Sequence, residues 1–367
     1  MKIVFCYQFC TLGGCETVLS TRMHELESLG VDAHAIFFAG GEGEELFSDL
    51  GDRVKICRNR LAVQEKLAAV KPDFLISLDT PQIVRYLEDQ PSEMKLVFEV
   101  HSTYPDALEK VKHLKQHRLS ALLTPSHAQR DLVKSILGEE IGCPVKVVPN
   151  PLRRNFGEGN ETQVYRRPIV LWVGRLDPHK NWRAYVEICR DLRERNSEIE
   201  YWIVGTTKIS ALEKAQLWEE VKKAGIVDRF RWLPHVQYDK MDRLFRFVAR
   251  SGGCLVSTSR QESFGMAAAE AMASSCPVVV PDIGGFRDFV IDGETGFRYP
   301  PGQLKSAVQY ILKSIENLPV RRKIVAAGFD RVQGEYSART AVLKLIDTLE
   351  NLSPAKVANE PETSRGD

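Results

Sequence analysis

The chain has 367 residues, 43% of them hydrophobic and 27% charged, with a formal net charge of +1. That length exceeds what one ordinary core fills and points to two domains. The near-balance of charge excludes a nucleic-acid-binding surface that covers the protein, and no apolar run reaches the about 18 residues of a membrane-spanning helix.

The first run, KIVFCYQF (2–9), is short and interrupted by polar residues, with no small-residue cleavage site after it, so no signal peptide is expected. It reads instead as a buried strand. DAHAIFFA (32–39), FLISL (74–78), KLVFEV (95–100), ALLTPS (121–126) and VKVVPN (145–150) continue the series. After residue 165 a second series follows: PIVLWVG (168–174), IEYWIVG (199–205), RFRWLP (229–234), CLVSTS (254–259) and CPVVVPD (276–282). Segments such as 14–29 and 181–196 carry apolar residues at helical spacing between the strands. This alternation predicts an α/β fold of two Rossmann-like parallel-sheet domains, 1–155 and 165–335, facing each other across a cleft.

The polar stretch 149–167 reads as the linker. Residues 336–352 read as one amphipathic helix, and the tail 353–367, almost without aliphatic residues, as disordered. Eight cysteines are scattered with no Cys-x-x-Cys, several inside apolar runs, which suits reduced core thiols in a cytoplasm. Cys6, Cys10 and Cys15 match no zinc spacing, so no metal site is expected there.

Four stretches carry residues suited to chemistry. In CLVSTSRQESFGMAAAEAMAS (254–274), strong helix formers follow a strand and the turn RQES, with Phe264-Gly265 opening the helix. A helix start presents free N–H groups and the positive end of a dipole, a seat for an anion. Glu262 in the turn and Glu270 two turns on are poor neighbours for a phosphate but good acceptors for sugar hydroxyls. A phosphate flanked by sugars needs both kinds of partner. The plainer reading makes Glu262 a carboxylate favoured by the dipole and Glu270 a surface residue; spacing alone leaves both open.

VLWVGRLDPHKN (170–181) places Arg175 and Lys180 on the loop after a strand, where two cations suit a diphosphate; an ordinary solvated loop is the alternative. FCTLGGCETVLS (9–20) feeds a strand through Gly13-Gly14 into a helix, either a phosphate contact or only a tight turn, since it lacks the GxGxxG fingerprint. His101 follows the strand KLVFEV and either points into the cleft or faces solvent.

Taken together these segments resemble the retaining family 4 glycosyltransferases of GT-B fold, from Met1 to about residue 352. The resemblance rests on Gly13-Gly14 followed by Glu16, His101 after its strand, TPSHAQRDL and VKVVPNPL. It continues in VGRLDPHKN, in Glu262-x7-Glu270 with Ser259 before it, and in DGETGFRYPPG. It implies that Arg175 and Lys180 bind the donor diphosphate and stabilise the leaving group's charge. It places backbone N–H groups around Ser263, Phe264, Gly265 and Met266 at phosphate or sugar, and Gly13 and Gly14 against phosphate. Glu262 would hold the transferred hexose, Glu270 the ribose, and His101 would lie near the reacting carbon. Gly205 and the loop with His235 and Val236 would lie near the base. The helix 336–352 resembles the one that crosses back to the N-terminal domain, with closure gating catalysis.

Four positions depart from the family pattern. Thr258 replaces a common proline, a change expected to be harmless at a strand end. Pro151 replaces a common glycine and stiffens the hinge, Asp288 replaces glutamate, and His235 replaces glycine.

The resemblance implies transfer of a hexosyl unit from a nucleotide-diphosphate sugar, by default a UDP-hexose, to a hydroxyl of a saccharide or lipid-linked acceptor, with retention and no metal or other cofactor. Surface polysaccharide or glycoconjugate synthesis would be the setting. The alternatives are a non-catalytic sugar-nucleotide-binding protein and a GT-B phosphorylase or epimerase. A nicotinamide oxidoreductase would need a glycine fingerprint that neither turn supplies. No nucleic-acid partner is expected. The segment 108–122, with Leu108, Val111, Leu114, Arg118 and Leu122 near one helical face, either docks on an anionic membrane or packs with its basic face in water. The expected place is the cytoplasm, at or away from the inner membrane face.

Overall fold

A computed structural model of the chain describes residues 1–87, 93–112, 119–138, 142–153, 165, 167–205 and 210–352. The first series of apolar runs becomes β1 (Lys2–Phe9), β2 (Asp32–Ala39), β3 (Val54–Ile56), β4 (Phe74–Leu78), β5 (Lys95–Glu99), β6 (Ala121–Thr124) and β7 (Val145–Val147). These pair in parallel in the order β3-β2-β1-β4-β5-β6-β7. The second series gives β8 (Ile169–Val173), β9 (Glu200–Val204), β10 (Phe230–Leu233), β11 (Cys254–Val256), β12 (Val278–Pro281) and β13 (Phe297–Tyr299), in the order β10-β9-β8-β11-β12-β13.

The central strands read as largely apolar runs because helices cover both faces of each sheet. Ile3 and Phe5 point into one cluster and Val4 and Cys6 into the other, following the two-residue period. The edge strands β3 and β13, three residues each, were not among the runs expected from the sequence. All eight cysteines are free thiols, six of them buried.

The C-terminal segment divides between the two halves. Helix Leu318–Tyr336 packs Val332 and Tyr336 beside Phe264 and Phe289 of the second sheet's cluster. Helix Ala338–Glu350 puts Val342, Leu345 and Leu349 into the cluster of Ile3 and Phe5. The expected single helix from 336 therefore starts two residues later. Ser337 breaks the run in an extended conformation and caps the second helix by accepting from the Thr340 N–H. Where the chain crosses in the other direction, Leu152 N–H donates to Tyr336 O at 2.8 Å, so the two crossings are bonded to each other. Most of the expected linker, 154–164 and 166, and the tail 353–367 lie outside the described residues.

Leu345 is fully buried where the crossing helix meets the first sheet. Leu345→Ala should cost about 2–5 kcal/mol, measured as the shift in urea unfolding of the first domain. A loss below about 1 kcal/mol would show that the helix does not depend on this contact.

Candidate functional site

Strand order reverses between β1 and β4 in one sheet and between β8 and β11 in the other. At such points neighbouring connections diverge to opposite faces and leave a crevice beyond the strand ends. The loops after β1, β4, β8 and β11 all line a single cleft of about 670 Å³ between the sheets. Of the residues singled out in sequence, Gly13, Gly14, His101, Arg175, Lys180 and Glu262 meet there, with Ser263 to Met266 at one wall.

Lys180 and Glu262 are 82 residues apart in the chain, yet Nζ lies 2.7 Å from Glu262 Oε2. The Ser259 hydroxyl donates to the same oxygen at 3.2 Å. Lys180 is held from behind, its N–H donating to Asp177 Oδ1 at 2.8 Å. Thr258 also does more than end a strand. Its Oγ1 accepts from Trp172 Nε1 at 2.9 Å and lies 2.9 Å from Asn181 O, so it ties the Lys180 loop to β8 and β11. Proline could make neither bond.

Arg175 Nε donates to Asp177 Oδ2 at 3.1 Å, and Nη2 donates to the Tyr104 hydroxyl, which reaches over from the first domain. Burial acts to raise the Asp177 carboxyl, but the Lys180 N–H, the Arg175 guanidinium and the Tyr104 hydroxyl together hold it below the usual range.

Glu262 is fixed by backbone contact. Gly285 N–H donates to its carbonyl at 2.9 Å, and a Cβ on Gly284, at φ +45°, would fall 2.0 Å from the same carbonyl oxygen. Gly265 stands at φ +107° with no capping side chain, so the first N–H groups of helix Met266–Ala273 lack a side-chain partner at the cleft wall. The helix thus begins at Met266, just after the expected opening. Ser263 O is engaged across the cleft by the Ser126 hydroxyl at 2.6 Å. Asp288 serves the same contact between domains, its Oδ2 accepting from His127 N–H at 2.8 Å.

His101 is buried rather than facing solvent, because the residues around it form a charged knot inside the first domain. Arg22 makes a two-pronged pair with Glu99, at 2.6 and 2.8 Å, and both side chains are nearly inaccessible. His101 Nε2 lies 3.1 Å from Glu99 Oε1 without a well-aligned hydrogen bond, and its N–H donates to Asp79 Oδ1 at 3.0 Å. Burial pushes Glu99 up, but Arg22 and His101 outweigh it and hold the carboxyl well below its ordinary value. Asp79 is raised, chiefly by burial. Sequence reading missed Arg22, Asp79, Glu99 and Tyr104. A glutamate inside the otherwise apolar VFEV was the available signal for one of them.

The residues expected nearest the ribose and base lie to one side of the cleft. Glu270 is 5% exposed and accepts from the Tyr238 hydroxyl at 2.9 Å, which excludes the surface reading. Tyr238 and His235 line a second cavity of about 550 Å³, with Arg153 and the helix Gly14–Ser28. Val236 packs on the second domain's core, and Gly205 follows β9 at φ +124°, with 206–209 outside the described residues. In the segment 108–122, Leu108 and Val111 on helix Pro105–Lys112 are buried in the first domain's core, but Leu122 belongs to β6 and not to that helical face; Leu114 and Arg118 lie outside the described residues. Among the described residues no helix is long and apolar enough to cross a membrane.

Comparison with known proteins agrees with this fold. Residues 160–331 match the family model of glycosyl transferases group 1. The chain is 28% identical over 182 residues to a 2-deoxystreptamine N-acetyl-D-glucosaminyltransferase of Streptomyces fradiae, covering 47% of this chain and 40% of that one. It is 28% identical over 206 residues to a D-inositol 3-phosphate glycosyltransferase of Geodermatophilus obscurus, covering 52% and 43%. The match therefore spans less than half the length of either relative. Anabaena HepE, solved in complex with UDP and glucose, superposes with a TM-score of 0.83 at 18% identity over 96% of this chain and all of that one. The fold is GT-B, two parallel-sheet domains across a cleft.

Burial pushes the Glu270 carboxyl from its ordinary 4.5 up to about 7, against the opposing Tyr238 hydrogen bond. Across that window the unfolded chain has given up the proton and the folded chain keeps it, so folding stability falls as pH rises. Glu270→Gln removes this loss. Its melting temperature should gain on the wild type from about pH 5 to about pH 8, read by calorimetry. A difference that stays constant over the range would show that Glu270 titrates normally.

Proposed function

We propose that the chain is a retaining glycosyltransferase that moves a hexosyl unit from a UDP-hexose to a hydroxyl of a saccharide or lipid-linked saccharide acceptor. The observation that carries this reading is the Lys180–Glu262 pair, 2.7 Å apart at the junction of two strand-end loops and facing Gly13-Gly14 across the cleft. One cation for a phosphate and one carboxylate for hydroxyls, side by side, match the junction between a diphosphate and its sugar. Support for uridine comes from the HepE complex, and support for sugar transfer from the names of the relatives.

In this reading Arg175 and Lys180 take the charge that develops on the diphosphate, which removes the need for a metal ion in that role. The helix start at Met266 and the Gly13-Gly14 turn bring N–H groups to phosphate, and Glu262 orients the hexose through its hydroxyls. The bond from the anomeric carbon to the diphosphate oxygen breaks, and the acceptor oxygen bonds to that carbon on the same face. The acceptor's proton passes to the departing phosphate oxygen. His101, with its backbone N–H on Asp79 and its ring beside Glu99, closes the site from the opposite domain. Phe9 and Leu12 are 47% and 43% exposed at the cleft, and they offer the acceptor an apolar face. Glu270 and Tyr238 sit where the ribose end of the donor would lie, and the base would continue toward Gly205, His235 and Val236.

The test is binding of UDP-glucose by calorimetry and its slow hydrolysis to UDP, in the wild type, Lys180→Ala and Glu262→Ala. Lys180→Ala should weaken UDP and slow hydrolysis by about 10²-fold or more. Glu262→Ala should leave UDP affinity within about threefold while hydrolysis falls by about 10²-fold, because it contacts the sugar. Wild-type protein that is folded yet binds no sugar nucleotide would overturn the reading.

A further inference from the structure

We infer that Tyr104 is a positioning residue for Arg175, linking the approach of the two domains to presentation of that guanidinium in the cleft. The inference rests on the sugar-nucleotide reading above and names a control built into the same site.

The Arg175 side chain is 64% exposed. An arginine so exposed samples many rotamers and would have to be ordered by each incoming phosphate. Here three contacts order it in advance. Nε donates to Asp177 Oδ2 at 3.1 Å, Nη2 donates to the Tyr104 hydroxyl, and the guanidinium lies 5.6 Å from the centre of the Tyr104 ring. The same hydroxyl donates its own proton to Asp177 Oδ2 at 3.0 Å, so tyrosine, arginine and aspartate close a ring of hydrogen bonds. Each donor and acceptor in that ring has one consistent role.

Asp177 is fixed by the Lys180 N–H, so the ring is anchored to the loop that carries the second cation. Tyr104 is anchored on the other side. Its N–H donates to Ser102 Oγ at 3.2 Å, and its carbonyl accepts from Leu108 N–H at 3.0 Å at the start of helix Pro105–Lys112. Its ring also packs on His179, with centroids 3.9 Å apart. The ring of bonds therefore exists only when the domains are together. Among the described residues Nη1 of Arg175 takes no partner, which leaves donor capacity for a diphosphate.

Tyr104→Phe keeps the aromatic ring and removes the hydroxyl, and UDP and UDP-glucose serve as probes. Hydrolysis of UDP-glucose should fall about 5–20-fold in kcat/KM and UDP should bind more weakly, with the melting temperature preserved. Because the effect runs through Arg175, Tyr104→Phe in an Arg175→Ala background should change either quantity by less than about twofold. Asp177→Asn, which weakens the ring from the other side, should move both in the same direction as Tyr104→Phe. Unchanged values in Tyr104→Phe would overturn the inference while leaving the transferase reading intact. Tighter UDP binding would also overturn it, marking Tyr104 as a competitor for Arg175. An equal loss in the Arg175→Ala background would overturn it too. A wild type that binds neither probe removes both the inference and the reading beneath it.

Discussion

Two chain crossings, at Leu152 and at Tyr336 to Ala338, hold the sheets with their carboxyl ends toward each other, and every feature of the cleft depends on that constraint. An open parallel sheet offers a ligand only the loops of its switch point, which make one shallow wall. Facing a second such wall turns it into a cleft lined by backbone N–H groups, cations and carboxylates of separate origin. The hydrogen bond from Leu152 to Tyr336 joins the crossings to each other, so movement of one carries the other. Among the described residues, contacts that span the cleft include the hydrogen bonds of Ser126 to Ser263, His127 to Asp288, and Tyr104 to Arg175 and Asp177, beside the packing of the Tyr104 ring on His179. Polar contacts of this kind form and break without exposing a core, which suits a cleft that must admit and release its ligand.

Within the cleft, charge is placed in layers. Arg22 and Glu99 neutralise one another deep in the first domain, where an unpaired charge would be very costly. The pair ties the helix Gly14–Ser28 to the end of β5, beside the ring of His101. Toward the open cleft the pairs become more exposed: Lys180 with Glu262, Arg175 with Asp177 and Tyr104. These are groups a ligand can engage. Glu270 departs from this arrangement. Deep burial, opposed among the described residues by the Tyr238 hydroxyl, pushes its carboxyl up to about 7.

Most of the architecture was legible in the sequence because strands buried on both faces are largely apolar runs, and because Gly, Pro and Asn mark the turns. The edge strands β3 and β13, three residues each with a cation at the centre, escaped, whereas the equally short β7 was read because Val148 extends its apolar run. The site was legible only as separate parts. Gly13-Gly14, VGRLDPHK and the Glu262-x7-Glu270 element could be found as local patterns, but nothing local says that Lys180 touches Glu262. Tyr104 was invisible, because STYPD looks like any polar turn and its partners lie more than 70 residues away. Thr258, a departure from the common pattern at a strand end, gives no local sign of the side-chain bonds by which it holds the cation loop.

The account stands on one claim, that a single sugar nucleotide spans this cleft from Glu262 to the far side of Glu270. The most direct measurement is a crystal structure of the protein with UDP. The account predicts a diphosphate between Arg175, Lys180 and the Gly13-Gly14 turn, with ribose hydroxyls at Glu270. UDP with its diphosphate beside Arg153 in the second cavity, away from Arg175 and Lys180, would contradict it.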